Sequence, residues 1–135
     1  MGRLNKVLID TNVLIYMYEN KKDIFDYVNI IIPEAEFYIL DKVYEELEKV
    51  LKSKPMKLRL IKNYLKKLEY SKKFNILEVN NRILQLSDKY QKIDNLLIYF
   101  SSKYLVYTND KKLKEKINKK GRRVIILKNQ GALLN

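Results

Sequence analysis

The chain has 135 residues, with 28 Lys or Arg against 16 Asp or Glu, for a formal net charge of +12. A length of this order favours one compact domain over residues 1–135, and 47% apolar residues with only three Gly and two Pro exclude wholesale disorder or low-complexity architecture. Cys and His are both absent, which excludes disulfides, thiolate or imidazole metal sites, a cysteine nucleophile and a Ser-His-Asp triad. Acid–base or metal chemistry must therefore run on carboxylates, with Lys, Tyr or water in support.

Along the chain, Val7-Leu8-Ile9 is a short β-branched run ending at Asp10. Thr11 or Asn12 then opens a helix through about Glu19. A second helix is expected from Asp23 to Ile31, ending ahead of Pro33. Glu36 to Leu40 reads as a strand, and Asp41 as the N-cap of a helix from Lys42 to Lys52. Pro55 suits the first turn of the next helix, where Leu58, Ile61, Tyr64, Leu65 and Leu68 share one face and lysines the other. Phe74 to Val79 is a short strand or an extended link. Helices over 81–91 and 94–103, a strand over 104–107, a helix over 111–119 stopped by Gly121, and a last strand over 124–127 complete the reading.

The charge is uneven. Residues 1–48 carry 5 basic and 10 acidic groups, 49–73 carry 10 and 1, 74–110 carry 4 and 4, and 111–128 carry 9 and 1. Two basic blocks with interleaved tyrosines point to a polyanion, and nucleic acid fits better than a membrane surface. Apolar runs such as Ile30 to Ile32 are too short to span a bilayer. The start, Met1 to Lys6, has no signal-peptide core, and Lys6 stands where a myristoylation motif needs Ser or Thr. A cytoplasmic protein without membrane contact is expected. Solvated helix faces are the other reading of each lysine block.

Strands alternating with helices predict a three-layer α/β/α sandwich around a central, mostly parallel sheet. In such sheets the functional crevice lies beyond the carboxyl ends of the strands. Two strands end alike, Val7-Leu8-Ile9 at Asp10-Thr11-Asn12 and Leu105-Val106-Tyr107 at Thr108-Asn109-Asp110. If both are central, Asp10 and Asp110 share that crevice. Asp94 is the third candidate, on a helix face with Leu97, Ile98 and Ser101. Each of these aspartates also suits an N-cap. Glu46 is the fourth, roughly 40° from Val50 at the edge of a stripe formed by Val43, Leu47, Val50 and Leu51, with Glu45 turned to solvent. An ordinary boundary glutamate is the other reading of Glu46. Carboxylates gathered in one crevice need a cation unless some are protonated, and all-oxygen donors select Mg²⁺ or Mn²⁺. Beside basic flanks, such an ion suits phosphodiester hydrolysis by a metal-activated water.

The segments Val7-Leu8-Ile9-Asp10-Thr11-Asn12, Val43-x-x-Glu46-Leu47, Asp94-x-x-Leu97-Ile98 and Thr108-Asn109-Asp110 resemble the PIN-domain ribonuclease family in order and spacing. The likeness spans essentially the whole chain, and its end, Gly121 with Val124 to Lys128, is similar to the archaeal branch that includes VapC-type toxins and PIN nucleases of ribosomal RNA maturation. The resemblance implies a metal-dependent endoribonuclease selective for single-stranded RNA. Asp10, Glu46, Asp94 and Asp110 match its acidic positions, and Asn12, Thr108 and Asn109 match supporting ones. Many members carry a second acidic residue near the third motif; here Asn95 follows Asp94 and brings no full charge to a second metal.

The expected chemistry has Asp10, Asp94 and Asp110 holding Mg²⁺ or Mn²⁺ directly or through water. Glu46 ligates or orients the attacking water, and Thr108 or Asn109 hydrogen-bonds a ligand carboxylate or the phosphate. Lysines such as Lys57, Lys62, Lys66, Lys111 and Lys112 would track RNA. The further partners this resemblance implies are an antitoxin protein, a ribosomal precursor or a second copy of the chain. The rival reading is a non-catalytic PIN-like module that binds RNA or ribosomes.

Overall fold

The computed structural model describes residues 5–129 and 131–135. The start Met1 to Leu4, part of the stretch read above for a signal peptide, lies outside the described residues.

Strands β1 (Lys6–Ile9), β2 (Glu36–Leu40), β3 (Asn75–Leu77), β4 (Leu105–Thr108), β5 (Val124–Lys128) and β6 (Gly131–Leu134) form one sheet in the order β3-β2-β1-β4-β5-β6. All neighbours are parallel except β5 and β6. Val7 pairs with Phe37 on one side and Leu105 on the other, so β1 is central. Val7, Leu8 and Ile9 are fully buried, as are Val106, Tyr107 and Thr108 of β4. A strand covered on both faces has no polar side, which is why both read as unbroken apolar runs.

From β1 the chain builds outward to β2 and β3, then returns to β1's other side for β4 and β5. With right-handed crossovers this reversal puts the helices on both faces. On one lie α1 (Thr11–Asn20), α2 (Ile24–Ile31), α3 (Val43–Val50) and α4 (Pro55–Tyr70), with α1, α3 and α4 packed together. On the other lie α5 (Asn81–Leu86), α6 (Ile93–Phe100) and α7 (Lys111–Lys119), with α6 against α7 and α7 against β5. The result is the expected three-layer α/β/α arrangement with a mostly parallel sheet.

Local chemistry explains most boundaries. Asp23 caps α2 by accepting the amides of Phe25 (3.0 Å) and Asp26 (3.1 Å). Pro55 opens α4, and Ile61 and Leu65 bury its apolar face. Gly121 follows α7 at φ +77°, a conformation that glycine adopts without a Cβ penalty.

Four expectations needed correction. The helix expected over 81–91 breaks at Ser87, which is extended; its hydroxyl accepts the Lys89 amide and starts a separate 3-10 turn, Asp88–Gln91. Asp41 does not cap α3: its carboxylate accepts the Val79 amide at 3.3 Å and ties the end of β2 to that of β3. Val50 is 49% exposed because α3 ends there, so it is not part of the buried stripe. Finally, β6 adds an antiparallel edge that the weak alternation of Gly131-Ala132-Leu133-Leu134 did not announce; Ala132 is buried and α2 packs against the strand.

Among the described residues, no helix is long and apolar enough to cross a membrane.

Candidate active site

The chain reverses its direction of travel across the sheet between β1 and β4. In open α/β folds a crevice forms at such a point, beyond the strands' carboxyl ends. Asp10 follows β1, and its amide donates to the Tyr107 carbonyl at 2.9 Å, locking the two strand ends together. Asp10 occupies the N-cap position of α1 but makes no side-chain cap bond. Its carboxylate faces β4 instead, where Thr108 Oγ1 donates to Asp10 Oδ2 at 2.7 Å. The same hydroxyl accepts the Asp110 amide at 3.0 Å. One fully buried threonine thus bridges the first and fourth sequence motifs.

The electrostatics are strained. Asp10 is only 4% exposed. Burial is the main reason its carboxyl is pushed from 3.8 to about 6; Thr108 and the Thr11 amide pull it back, while the charges of Asp94 and Asp110 push it further up. Asp94 is raised too, first by partial loss of solvent and then by Asp110, against the opposing pull of Lys116 and Lys92. Asp10, Asp94 and Asp110 therefore share one field. Thr11 Oγ1, next to Asp10, is buried without a hydrogen-bond partner.

The three aspartates differ in what else they do. Asp110 is a true N-cap: its Oδ1 accepts the amides of Lys112 (2.9 Å) and Leu113 (3.2 Å) at the start of α7. Asp94 is not a cap, and it is itself exposed although Leu97 and Ser101 on its helix face are buried. Lys92 holds the N-cap position of α6, Ile93, Leu96 and Leu97 turn inward, and Asp94 is exposed in the first turn. Glu46 is half-buried and Glu45 exposed. Glu46 lines a small recess of about 30 Å³ with Lys42, Tyr90 and Ile93, the residue just before Asp94. Asn12 and Asn109 are exposed at the rim.

Among the described residues no three or more carboxylates converge closely enough to make a ready cage for a metal. The set is an open arc. Its chemistry still fits a hard divalent ion: oxygen donors only, mutual repulsion that a cation would relieve, and an unpartnered hydroxyl beside Asp10. Mg²⁺ typically keeps several waters and takes only one or two protein carboxylates, so an open arc suits it.

The lysines divide. Lys57 is bonded to Glu19, and Lys62 to Glu48 at 3.0 Å, so both are tied into ion pairs. Lys66 is exposed on α4, and Lys111 and Lys112 are exposed at the opening of α7, directly after Asp110. The bond from Thr108 to Asp10 and the end-tie made by Asp41 join different strands, which sequence spacing alone does not reveal.

Comparison with known proteins agrees with this architecture. A family model described as a PIN like domain matches residues 7–130. The chain belongs to the PIN-like domain family, as its four motifs indicated. Ribonuclease VapC4 of Methanocaldococcus jannaschii is 32% identical over 124 residues, covering 83% of this chain and 82% of that protein. Ribonuclease VapC9 of Archaeoglobus fulgidus is 35% identical over 126 residues, covering 89% of this chain and 83% of that protein. The solved structure of the PIN domain endonuclease Utp24 matches with a TM-score of 0.70 at 24% identity, over 96% of this chain and 90% of that one. At that identity the likeness speaks for the fold.

Proposed function

We propose that the protein is a metal-dependent endoribonuclease that hydrolyses phosphodiester bonds of single-stranded RNA. The observation that carries this reading is the buried Asp10, held by Thr108 and sharing its field with Asp94 and Asp110 at the switch point of the sheet. Similarity to two curated relatives named as ribonucleases supports it. Because both bear the VapC name, the toxin role, paired with an antitoxin protein, is favoured over a part in RNA maturation.

Asp10, Asp94 and Asp110 would hold Mg²⁺ or Mn²⁺, in part through water. When bound, that ion supplies a water of lowered pKa and offsets charge on the phosphate. The chain's own residues set up the rest. Thr108 donates to Asp10 Oδ2 and so favours the ionised carboxylate despite its burial. Asp110 fixes its orientation through the amides of Lys112 and Leu113, which engage Oδ1. Glu46, across the recess from the start of α6, is suited to orient a water. Lys111 and Lys112 beside Asp110 offer charge to the RNA backbone.

The test is incubation of unstructured and structured RNA with Mn²⁺ or with EDTA. Wild-type protein should cleave the unstructured RNA only with metal, and Asp10→Asn should not cleave it. Equal cleavage by Asp10→Asn would remove the site. Salt-sensitive binding without any turnover would favour the non-catalytic module.

A further inference from the structure

A second feature lies on the α6 face, outside the carboxylate arc. It is a cleft of about 460 Å³ between the 81–91 segment, α6 and the end of α7. Its cations are Lys89, Lys103, Lys120 and Arg122, its walls include Tyr90 and Tyr99, and no carboxylate lines it. The volume falls in the range of small-ligand clefts. Four cations around one concavity repel one another and favour an anion.

The cleft is partly pre-ordered. Arg122 Nη1 donates to the Ile98 carbonyl at 3.2 Å and to Ser101 Oγ at 3.0 Å, which pins the guanidinium at the base of α6. Tyr99 is 39% exposed, and its ring meets Tyr90 edge-on at 5.4 Å and Phe100 at 5.2 Å. Lys89 Nζ lies 5.1 Å from the centre of the Tyr90 ring. Asn95 Nδ2 donates to the Lys89 carbonyl at 2.8 Å and so fastens the cleft's outer wall to α6. Asn95 is also the residue next to Asp94, so cleft and carboxylate arc meet along one helix.

We propose that this cleft is a second binding site for single-stranded RNA, in which Lys103, Lys120 and Arg122 hold backbone phosphates and Tyr99 stacks a base. Cations combined with exposed aromatic rings are what a sequence-tolerant single-strand site requires. A strand entering the cleft continues along α6 toward Asp94, so the site holds substrate on one side of the scissile bond. The identity of the polymer rests on the ribonuclease reading; the cleft itself does not.

The experiment measures binding and cleavage separately. Binding is read by fluorescence anisotropy in EDTA, on Asp10→Asn protein, with a labelled unstructured RNA of about 12 nucleotides. Lys103→Glu with Lys120→Glu should weaken binding about tenfold or more and lower the slope of log affinity against log salt by about 1.4, the loss of two phosphate contacts. Lys21→Glu with Lys22→Glu, an equal charge reversal at the far end of α1, should leave that slope nearly unchanged. Tyr99→Ala should weaken binding at least fivefold with the slope intact, and Tyr99→Phe should restore it. Thermal melts confirm that each variant folds. A cleft reversal no more harmful than the Lys21/Lys22 reversal overturns the proposal, whatever cleavage shows. Absence of metal-dependent cleavage in wild type, with the cleft effects present, sinks the ribonuclease reading and leaves the cleft standing.

Discussion

Asp10 is held at 4% exposure with one hydroxyl donor and two acidic neighbours, a costly place for a charge. Its folded pKa of about 6 lies above its ordinary 3.8, so the folded chain binds this proton more tightly than the unfolded one. The contribution of the neutral acid is therefore complete below pH 3.8 and is lost as pH rises through about 6. Above that the ionised group costs on the order of 3 kcal/mol. Metal-free Asp10→Asn should accordingly be more stable than wild type at pH 7, and the two should converge near pH 4. Parallel denaturation curves across that window would contradict the assignment. Thr108 makes the complementary case. Thr108→Val strips the buried Asp10 of its donor and leaves the part-buried Asp110 amide unpartnered, at a cost of about 1–3 kcal/mol. It should also move the pH transition above 6, whereas Thr108→Ser, which keeps the hydroxyl, should do neither by chemical denaturation.

At the scale of elements, helix starts decide which carboxylates are free. The sequence marked Asp10, Asp94 and Asp110 alike as possible caps, because a helix follows each. Only Asp110 caps. It therefore has two roles that substitution can separate. Asp110→Asn should abolish cleavage while keeping thermal stability within a few tenths of a kcal/mol, since Asn also caps well. Asp110→Ala should abolish cleavage and cost about 1 kcal/mol as well. Identical melting of the two variants would mean that the cap bonds do not matter. The same scale holds the misread segments. Ser87 and Asp41 looked like a helix interior and a helix cap, because local preference could not weigh the hydroxyl turn at Ser87 or the cross-strand tie from Asp41 to Val79.

For the molecule as a whole, the +12 charge resolves into distinct surfaces. Acids sit at the carboxyl end of the sheet, Lys57 and Lys62 are neutralised by Glu19 and Glu48, and an acid-free basic cleft lies along α6. The acidic arc draws on β1, β4, α6 and α7, so an ion bound there would tie both halves of the sheet. Millimolar Mn²⁺ should stabilise the wild type by about 1.4 kcal/mol at tenfold excess over its dissociation constant, seen as a higher melting temperature, and should do much less for Asp10→Asn. An equal rise in both would place the ion elsewhere.

What the sequence determined by itself was the class of fold and the family, and it singled out four acidic residues as candidates for the site. Apolar runs ending in Asp, alternating with helical periodicity, are local patterns and survive without knowledge of neighbours. The tertiary structure decided the rest. Strand pairing brought Thr108 onto Asp10, buried one aspartate while leaving another exposed, paired two lysines away, and added β6 at the edge. It also gathered Lys89, Lys103, Lys120 and Arg122, distant in sequence, around one cleft. Each of these depends on which surfaces meet across the sheet, and burial and charge coupling arise only from that meeting.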